Sequence, residues 1–138
     1  MIEKLYTLEI VSIAANINHI GLLKDYTSIS TQNSTICGSR ITISLKLDNK
    51  QIIAYGQEVK ACLLAQASAA ILSEVAIGST KEDIEFGYNL LKQLLDNNIP
   101  SDYGKFHKLS YLKEVYHYPE RYNSVLLPFE TCLECLKL

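Results

Sequence analysis

The chain lacks an excess of positive charge. Its 138 residues include 13 Lys and Arg against 15 Asp and Glu, so the formal net charge is -2. Without a basic stripe, neither nucleic acid nor an anionic membrane surface is expected as a partner. No hydrophobic run is long enough to cross a membrane, and Glu3 and Glu9 interrupt the apolar stretch that a signal peptide needs. We therefore expect a cytoplasmic protein that handles small molecules, metals or other proteins.

Several catalytic motifs are also missing. The sequence contains no glycine-rich phosphate loop, no nucleophile elbow and no paired metalloprotease histidines. Cysteine is scarce, with four residues in the chain, and in a reducing compartment they are structural thiols, metal ligands or nucleophiles rather than a disulfide framework. The pattern does not predict an enzyme. At 48% hydrophobic residues, positions 1–138 are expected to form a single domain with one core.

The strongest local pattern predicts a β-hairpin. Apolar and polar residues alternate in RITISLKL, residues 40–47, which is typical of a half-buried strand. DNK supplies a turn, residues 51–60 form the return strand, and residues 26–36 are a weaker third strand. If cross-strand partners sum to 99, Leu47 faces Ile52, Leu45 faces Ala54, and Cys37 faces Cys62. This register places Glu58 on the core face, so we expect a bulge near Gly56 that shifts Cys62 by one position.

Helical patterns occupy most of the remaining chain. They cover residues 3–16, 62–77, 79–98, 108–118 and 128–138, with Gly78 as a stop signal and Ser79 to Glu82 as a possible capping box. Cys62 opens the second of these helices. The sequence thus predicts an α+β fold in which a small antiparallel sheet of two to three strands packs against about four to five helices.

Cys62 and Cys37 lie at positions that favour thiol chemistry, one at a helix start and the other in a turn. A thiol at a helix N-terminus, such as Cys62, meets the positive end of the helix dipole, which favours the thiolate that binds metals or attacks sulfur. Cys37 begins a Cys-Gly-Ser turn in which Gly38 permits close backbone approach and Ser39 offers a hydroxyl. Spacing alone, however, favours buried structural cysteines over ligands, because a complete zinc or iron–sulfur site normally has four ligands.

The other candidate ligands are weaker. Cys132 and Cys135 share a helix face with several leucines, which is typical of core packing. His19, His107 and His117 read as loop or surface residues.

Three motifs follow one another along the chain: CGSRITISLKLD, GQEVKAC and LLAQASAAIL. With these motifs the sequence resembles the NifU-like family of iron–sulfur cluster assembly scaffolds, which includes the NifU N-terminal domain, IscU and SufU. The resemblance spans nearly the whole chain and implies a SufE/NifU-like fold with a cluster or zinc ion at one exposed end. Aligned with the family pattern, its first cysteine falls on Cys37, its acidic ligand on Ser39 and its second cysteine on Cys62. The segment YPERYNSVLLPFE places Ser124 at the third cysteine and Asn123 at the histidine of IscU proteins.

The resemblance implies a scaffold or carrier that holds a cluster or metal ion transiently. Cys37 and Cys62 would bind an iron–sulfur cluster, with zinc as the alternative, and Ser39 and Ser124 would complete a weak and labile ligand set. A cysteine desulfurase would supply sulfur, and apo-proteins would accept the product. Two alternatives stay open: an adaptor for the desulfurase that holds no metal, and an acceptor of persulfide sulfur at one cysteine.

Overall fold

The computed structural model describes residues 5–35 and 38–137. Within them, a three-stranded antiparallel sheet is followed by a largely helical second half. The strands are β1 (Ser28–Asn33), β2 (Arg40–Asp48) and β3 (Gln51–Lys60), and the α-helices are α1 (Leu8–Ala15), α2 (Leu63–Ala76), α3 (Lys81–Leu95) and α4 (Tyr122–Cys135). Two 3-10 segments, Gly104–His117 and Pro119–Arg121, join α3 to α4. The predicted α+β class is confirmed.

The sheet has the order β1-β2-β3, so β2 is its central strand. Both predicted hairpin strands and the weaker third strand are present. The alternating residues Ile41, Ile43 and Leu45 are fully buried in the common hydrophobic core. In the turn, Asn49 and Lys50 both have positive φ values, 53° and 67°, which are typical of a two-residue type I′ turn. The residues of the turn and the apolar–polar alternation of β2 therefore both favour this hairpin.

The register differs from the prediction beyond its first pairs. Leu47 does pair with Ile52, but Lys46 pairs with Ala54, so Ile53 is an extra residue on β3. The predicted pairing of Leu45 with Ala54 and the bulge near Gly56 are therefore wrong. The bulge at Ile53 has the effect expected of the predicted bulge, because it turns Glu58 away from the core.

The bulge decides which residues of β3 face the core. From Ala54 onward the partners sum to 100, which sets Tyr55 opposite Leu45 and Val59 opposite Ile41. Glu58 is exposed as a result, whereas the unbulged register would have buried its carboxylate. The insertion also leaves Ile53 itself 47% exposed.

Several helix ends differ from the sequence-based prediction. α1 begins at Leu8, where the Thr7 hydroxyl accepts a hydrogen bond from the N–H of Ile10, whereas the predicted start at residue 3 lies outside the described residues. The capping box of α3 consists of Thr80 and Asp83 rather than Ser79 and Glu82. Ser79 does not cap α3 because its hydroxyl donates to the carbonyl of Val75 at 2.6 Å and so belongs to the end of α2.

The last helix is longer at its N-terminal end than predicted. α4 begins at Tyr122 and runs through Pro128, where the sequence pattern had placed its start. Pro128 has no N–H to donate to the carbonyl of Ser124, four residues earlier, so the first turn of α4 lacks one helical hydrogen bond. The predicted helix over residues 108–118 belongs to the longer 3-10 segment that begins at Gly104.

The segment before β1 covers the face of the sheet that is turned away from the helices. The N–H of Gly21 donates to the carbonyl of Gln57 at 2.8 Å, and the N–H of Leu23 donates to the hydroxyl of Ser44 at 2.9 Å. A Cβ placed on Gly56 would lie 2.4 Å from the carbonyl oxygen of Gly21. Glycine at position 56 is therefore required by a close backbone approach rather than by a bulge. Within the described residues, no helix is long and apolar enough to span the membrane.

We expect Gly56→Ala to lower the free energy of unfolding by about 1–3 kcal/mol, because the added methyl group must displace the backbone of Gly21 and Leu23. Glu58→Ala, an exposed substitution two residues further along β3, should change it by less than about 0.5 kcal/mol. Urea denaturation followed by circular dichroism measures both. Equal stabilities of the two variants would show that the segment before β1 does not pack on Gly56 as described.

Candidate functional site

The connection between β1 and β2 ends in a tightly held turn. The N–H of Ser34 donates to the carbonyl of Ser39 at 2.8 Å, and the N–H of Gly38 donates to the carbonyl of Ser34 at 2.9 Å. Gly38 has a φ of 72°, in the left-handed region where glycine is favoured, and it is exposed. Ser39 is 2% exposed. Cys37 lies outside the described residues, so its predicted proximity to Cys62 stays a prediction.

Cys62 lies at the start of α2, as predicted. It is the N-cap residue, with extended backbone angles (φ -65°, ψ 167°), and its side chain makes no capping hydrogen bond. Its thiol is free of any disulfide, and the residue is half-buried. Cys62 is therefore a half-buried cysteine at the positive end of a 14-residue helix.

A direct hydrogen bond joins two of the predicted site residues. The backbone N–H of Cys62 donates to the hydroxyl oxygen of Ser39, with a long N–O distance of 3.4 Å. The adjacent strands explain this contact, because the β2–β3 ladder ends with Arg40 opposite Lys60, just before Ser39 and Ala61. The structure thus places Ser39 beside Cys62.

Ser124 is the third residue of α4 and is 1% exposed. The neighbouring carbonyl of Val125 accepts a 2.5 Å hydrogen bond from the buried hydroxyl of Ser68, which attaches the first turn of α4 to α2. Asn123 is exposed. The location of Ser124 at the start of the last helix agrees with the sequence alignment, and its predicted role as a ligand stays a prediction.

Cys132 and Cys135 are core residues, which confirms the packing interpretation. Both are 0% exposed, and the thiol of Cys135 donates to the carbonyl of Ile43 at 3.1 Å. Burial raises the pKa of Cys135 to about 11, and burial, followed by the charge of Cys135, raises the pKa of Cys132 further still. Both thiols are therefore held in the protonated form, which neither binds metal nor acts as a nucleophile.

Few strong metal ligands lie near one another in the part of the chain that the structure describes. Residues 5–35 and 38–137 contain no group of three or more His, Cys, Asp or Glu side chains that could hold a metal ion. The three histidines are exposed, as predicted. The side chains of Cys62 and Ser39 supply one thiol and one hydroxyl. One thiol and one hydroxyl do not make a complete zinc site, so tight binding requires ligands beyond this pair.

Two cationic side chains, Arg40 and Lys60, lie next to Ser39 and Cys62 and were not predicted as part of the site. Arg40 and Lys60 are both exposed and face each other as the last pair of the β2–β3 ladder. The register sum of 99 set Lys60 opposite Ser39, so the juxtaposition emerges only once the bulge at Ile53 is known. Correct placement of that bulge is the signal that would have revealed the pair.

The sequence and fold place the chain in a known family. Residues 5–109 match the family described as the NifU-like N terminal domain. This match covers well over half of the chain, and the protein belongs to the NifU-like N-terminal domain family.

Among named relatives, the chain is 27% identical over 137 residues to the iron–sulfur cluster assembly scaffold protein IscU of Thermotoga maritima. The alignment covers 98% of this chain and 94% of the relative.

Solved structures share the fold closely. A nitrogen-fixing NifU-like protein (N-terminal) from Brucella abortus superposes with a TM-score of 0.93 and 31% identity, covering 99% of this chain and 94% of that one. The protein FiSufU from Fervidobacterium islandicum AW-1 gives a TM-score of 0.88 at 21% identity, with 98% of each chain covered. At that identity the second comparison supports the shared fold alone.

The raised pKa of Cys135 predicts a loss of stability at alkaline pH. Above about pH 9 the unfolded chain has released its thiol protons, whereas folded Cys135 keeps its proton up to about pH 11. Since the unfolded state then binds fewer protons, the free energy of unfolding falls as pH rises through this window.

Cys135→Ser keeps a hydroxyl that can donate to the carbonyl of Ile43 and removes the titrating thiol. Its unfolding free energy should fall less steeply between pH 9 and 11 than that of the wild type. Urea titrations at pH 8, 9, 10 and 11 measure the slopes, and identical slopes would contradict the assignment of Cys135 as a buried, protonated thiol.

Proposed function

We propose that this protein is a scaffold or carrier in iron–sulfur cluster assembly that holds its cluster transiently. The proposal rests on the family of the chain and on its 27% identity, over nearly its full length, to a relative named as such a scaffold. Residues 1–138 would act as one domain, since helices and strands from both halves contribute to a common hydrophobic core.

The observation that carries the proposal is the contact between Ser39 and Cys62. Ser39 directly precedes β2 and Cys62 is the N-cap residue of α2, yet the Cys62 N–H lies 3.4 Å from the Ser39 hydroxyl oxygen. Both occupy positions that match ligands in the family pattern. Only Gly38 separates Cys37 from Ser39 in the chain, which supports a site shared by Cys37, Ser39 and Cys62.

The ligand set explains why holding would be transient. Thiolate sulfur binds iron and zinc strongly, whereas a serine hydroxyl ionises far less readily and is a harder, poorer ligand for them. In the proposed set, Cys37 and Cys62 provide most of the affinity, while Ser39 and Ser124 add little. The cluster is then cargo that can leave for an acceptor, and zinc is an alternative occupant of the same ligands.

The proposed partners follow from this role. A cysteine desulfurase would deliver sulfur, and apo-proteins would receive the cluster, in the cytoplasm. No catalytic step of the protein's own is needed for either exchange. The same partners would serve an adaptor that holds no metal.

A second candidate function is acceptance of persulfide sulfur. Cys62 favours it, because the residue is only half-buried and one thiol at a helix N-terminus suffices to attack a persulfide. The buried thiols of Cys132 and Cys135 do not meet that requirement.

Replacing Ser124 with cysteine tests the proposed ligand set. If Ser124 faces the cluster, Ser124→Cys adds a third thiolate and should slow cluster loss about ten-fold or more, since a change of about 1.4 kcal/mol in the barrier to loss gives a factor of ten. The measurement is anaerobic reconstitution followed by the rate of absorbance bleaching in the presence of an iron chelator.

Two controls make this test specific. Ser73→Cys adds a thiol at another buried serine, on α2, and should leave the bleaching rate at the wild-type value. Cys62→Ser should abolish stable reconstitution. Equal bleaching rates for the wild type and Ser124→Cys, or a wild-type cluster that survives purification in air, would show that the ligand set is complete without Ser124.

A further inference from the structure

The end of the β2–β3 hairpin carries two like charges in direct opposition. Arg40 and Lys60 are cross-strand partners, and the Cβ atoms of such partners lie about 4.5–5.5 Å apart. Like charges at this separation destabilise a sheet. Among the described residues, neither side chain forms an ion pair within 4.0 Å. The opposition of these two charges therefore costs the sheet stability.

The neighbourhood of this pair retains a net positive charge. Arg40, Thr42, Glu58 and Lys60 line a cleft of about 140 Å³ on the face of the sheet turned away from the helices. Glu58 is the one acidic side chain among these four, so their formal charge is +1. Thr42 bonds to the hydroxyl of Thr31 at 2.8 Å and adds no charge.

The charged pair borders the candidate site. Arg40 directly follows Ser39, and Lys60 precedes Cys62 by two residues, a backbone distance of about 7 Å at about 3.3 Å per residue. The hydrogen bond between the Cys62 N–H and Ser39 holds the two strand ends together. Charges this close act on an approaching anion at physiological ionic strength, where the Debye length is about 8 Å.

We propose that Arg40 and Lys60 form a cationic rim that attracts anionic sulfur species to Cys62. This inference rests on the proposed function, because sulfide and persulfide anions are the small anions that cluster assembly consumes. Ser39 strengthens the effect, since a neutral hydroxyl stands at the position where the family pattern has an acidic ligand. The rim would therefore select the charge of the incoming sulfur rather than bind the cluster.

Paired reagents measure the attraction directly. Iodoacetate carries a negative charge and iodoacetamide is neutral, but both react with the same thiolate, so the ratio of their rates at Cys62 does not depend on how much thiolate is present. Peptide mass spectrometry of the intact, full-length protein after timed labelling gives both rates for Cys62, separately from other cysteines.

We expect Arg40→Gln and Lys60→Gln each to lower the iodoacetate-to-iodoacetamide ratio about two- to five-fold at low salt, and 0.5 M NaCl to remove most of the difference. Glu58→Gln should raise the ratio. Lys50→Gln makes the same charge change at the hairpin turn, ten residues or about 33 Å from Lys60, and should leave it unchanged. Unchanged ratios in Arg40→Gln and Lys60→Gln would overturn the proposal.

A second readout uses sulfur itself. The Cys62 thiolate attacks an inorganic polysulfide dianion; one sulfur–sulfur bond forms to Cys62, one breaks in the polysulfide, and the electron pair leaves with the shortened dianion. The persulfide yield, normalised to the iodoacetamide rate, should fall in Arg40→Gln and Lys60→Gln. A normal yield in these variants would overturn the sulfur role even if the reagent ratio changes.

These measurements need no cluster. Failure of reconstitution would therefore contradict the proposed scaffold function without affecting the test of the rim. Conversely, normal reconstitution with an unchanged reagent ratio would overturn the rim and leave the scaffold function standing.

Discussion

One extra residue in a β-strand determines how the candidate site is assembled. Ile53 is inserted between the Leu47–Ile52 and Lys46–Ala54 pairs, and from there to the end of the hairpin every pairing is shifted by one. Since successive side chains of a strand point to opposite faces, this shift moves Glu58 into solvent and Tyr55 into the core. At the far end it sets Arg40 against Lys60 and brings Ser39 next to the start of α2. The bulge thus links the packing of the core to the composition of the site.

Much of this arrangement was predictable from the sequence. Alternation in residues 40–47 identified the central strand, the small-residue run after Cys62 identified α2, and the family pattern identified Cys62 as the residue at its start. These features succeed because they depend on local periodicity and on one helix N-terminus. The burial of Cys132 and Cys135 among leucines was predictable for the same reason.

The features that sequence reasoning missed depend on tertiary contacts. The bulge at Ile53 lies next to two hydrogen bonds between β3 and the chain after α2. The N–H of Ile52 donates to the carbonyl of Ser79, and the carbonyl of Ile52 accepts from the N–H of Gly78. The capping box was misplaced because Ser79 and Thr80 are both suitable caps, and only the bond from Ser79 to Val75 distinguishes them. Pro128 suggested a helix start, yet the packing of its neighbours in the core maintains α4 on both sides of it.

The proposed scaffold function requires Cys62 to be a ligand of a transiently held iron–sulfur cluster. Iron and acid-labile sulfide, measured in the wild type and Cys62→Ser after the same anaerobic reconstitution and desalting, test it most directly. We expect equimolar iron and sulfide in the wild type and loss of both in Cys62→Ser, with Cys132→Ser as the control that retains them if it folds as the wild type does. Iron and sulfide contents in the wild type no higher than those in Cys62→Ser would contradict it.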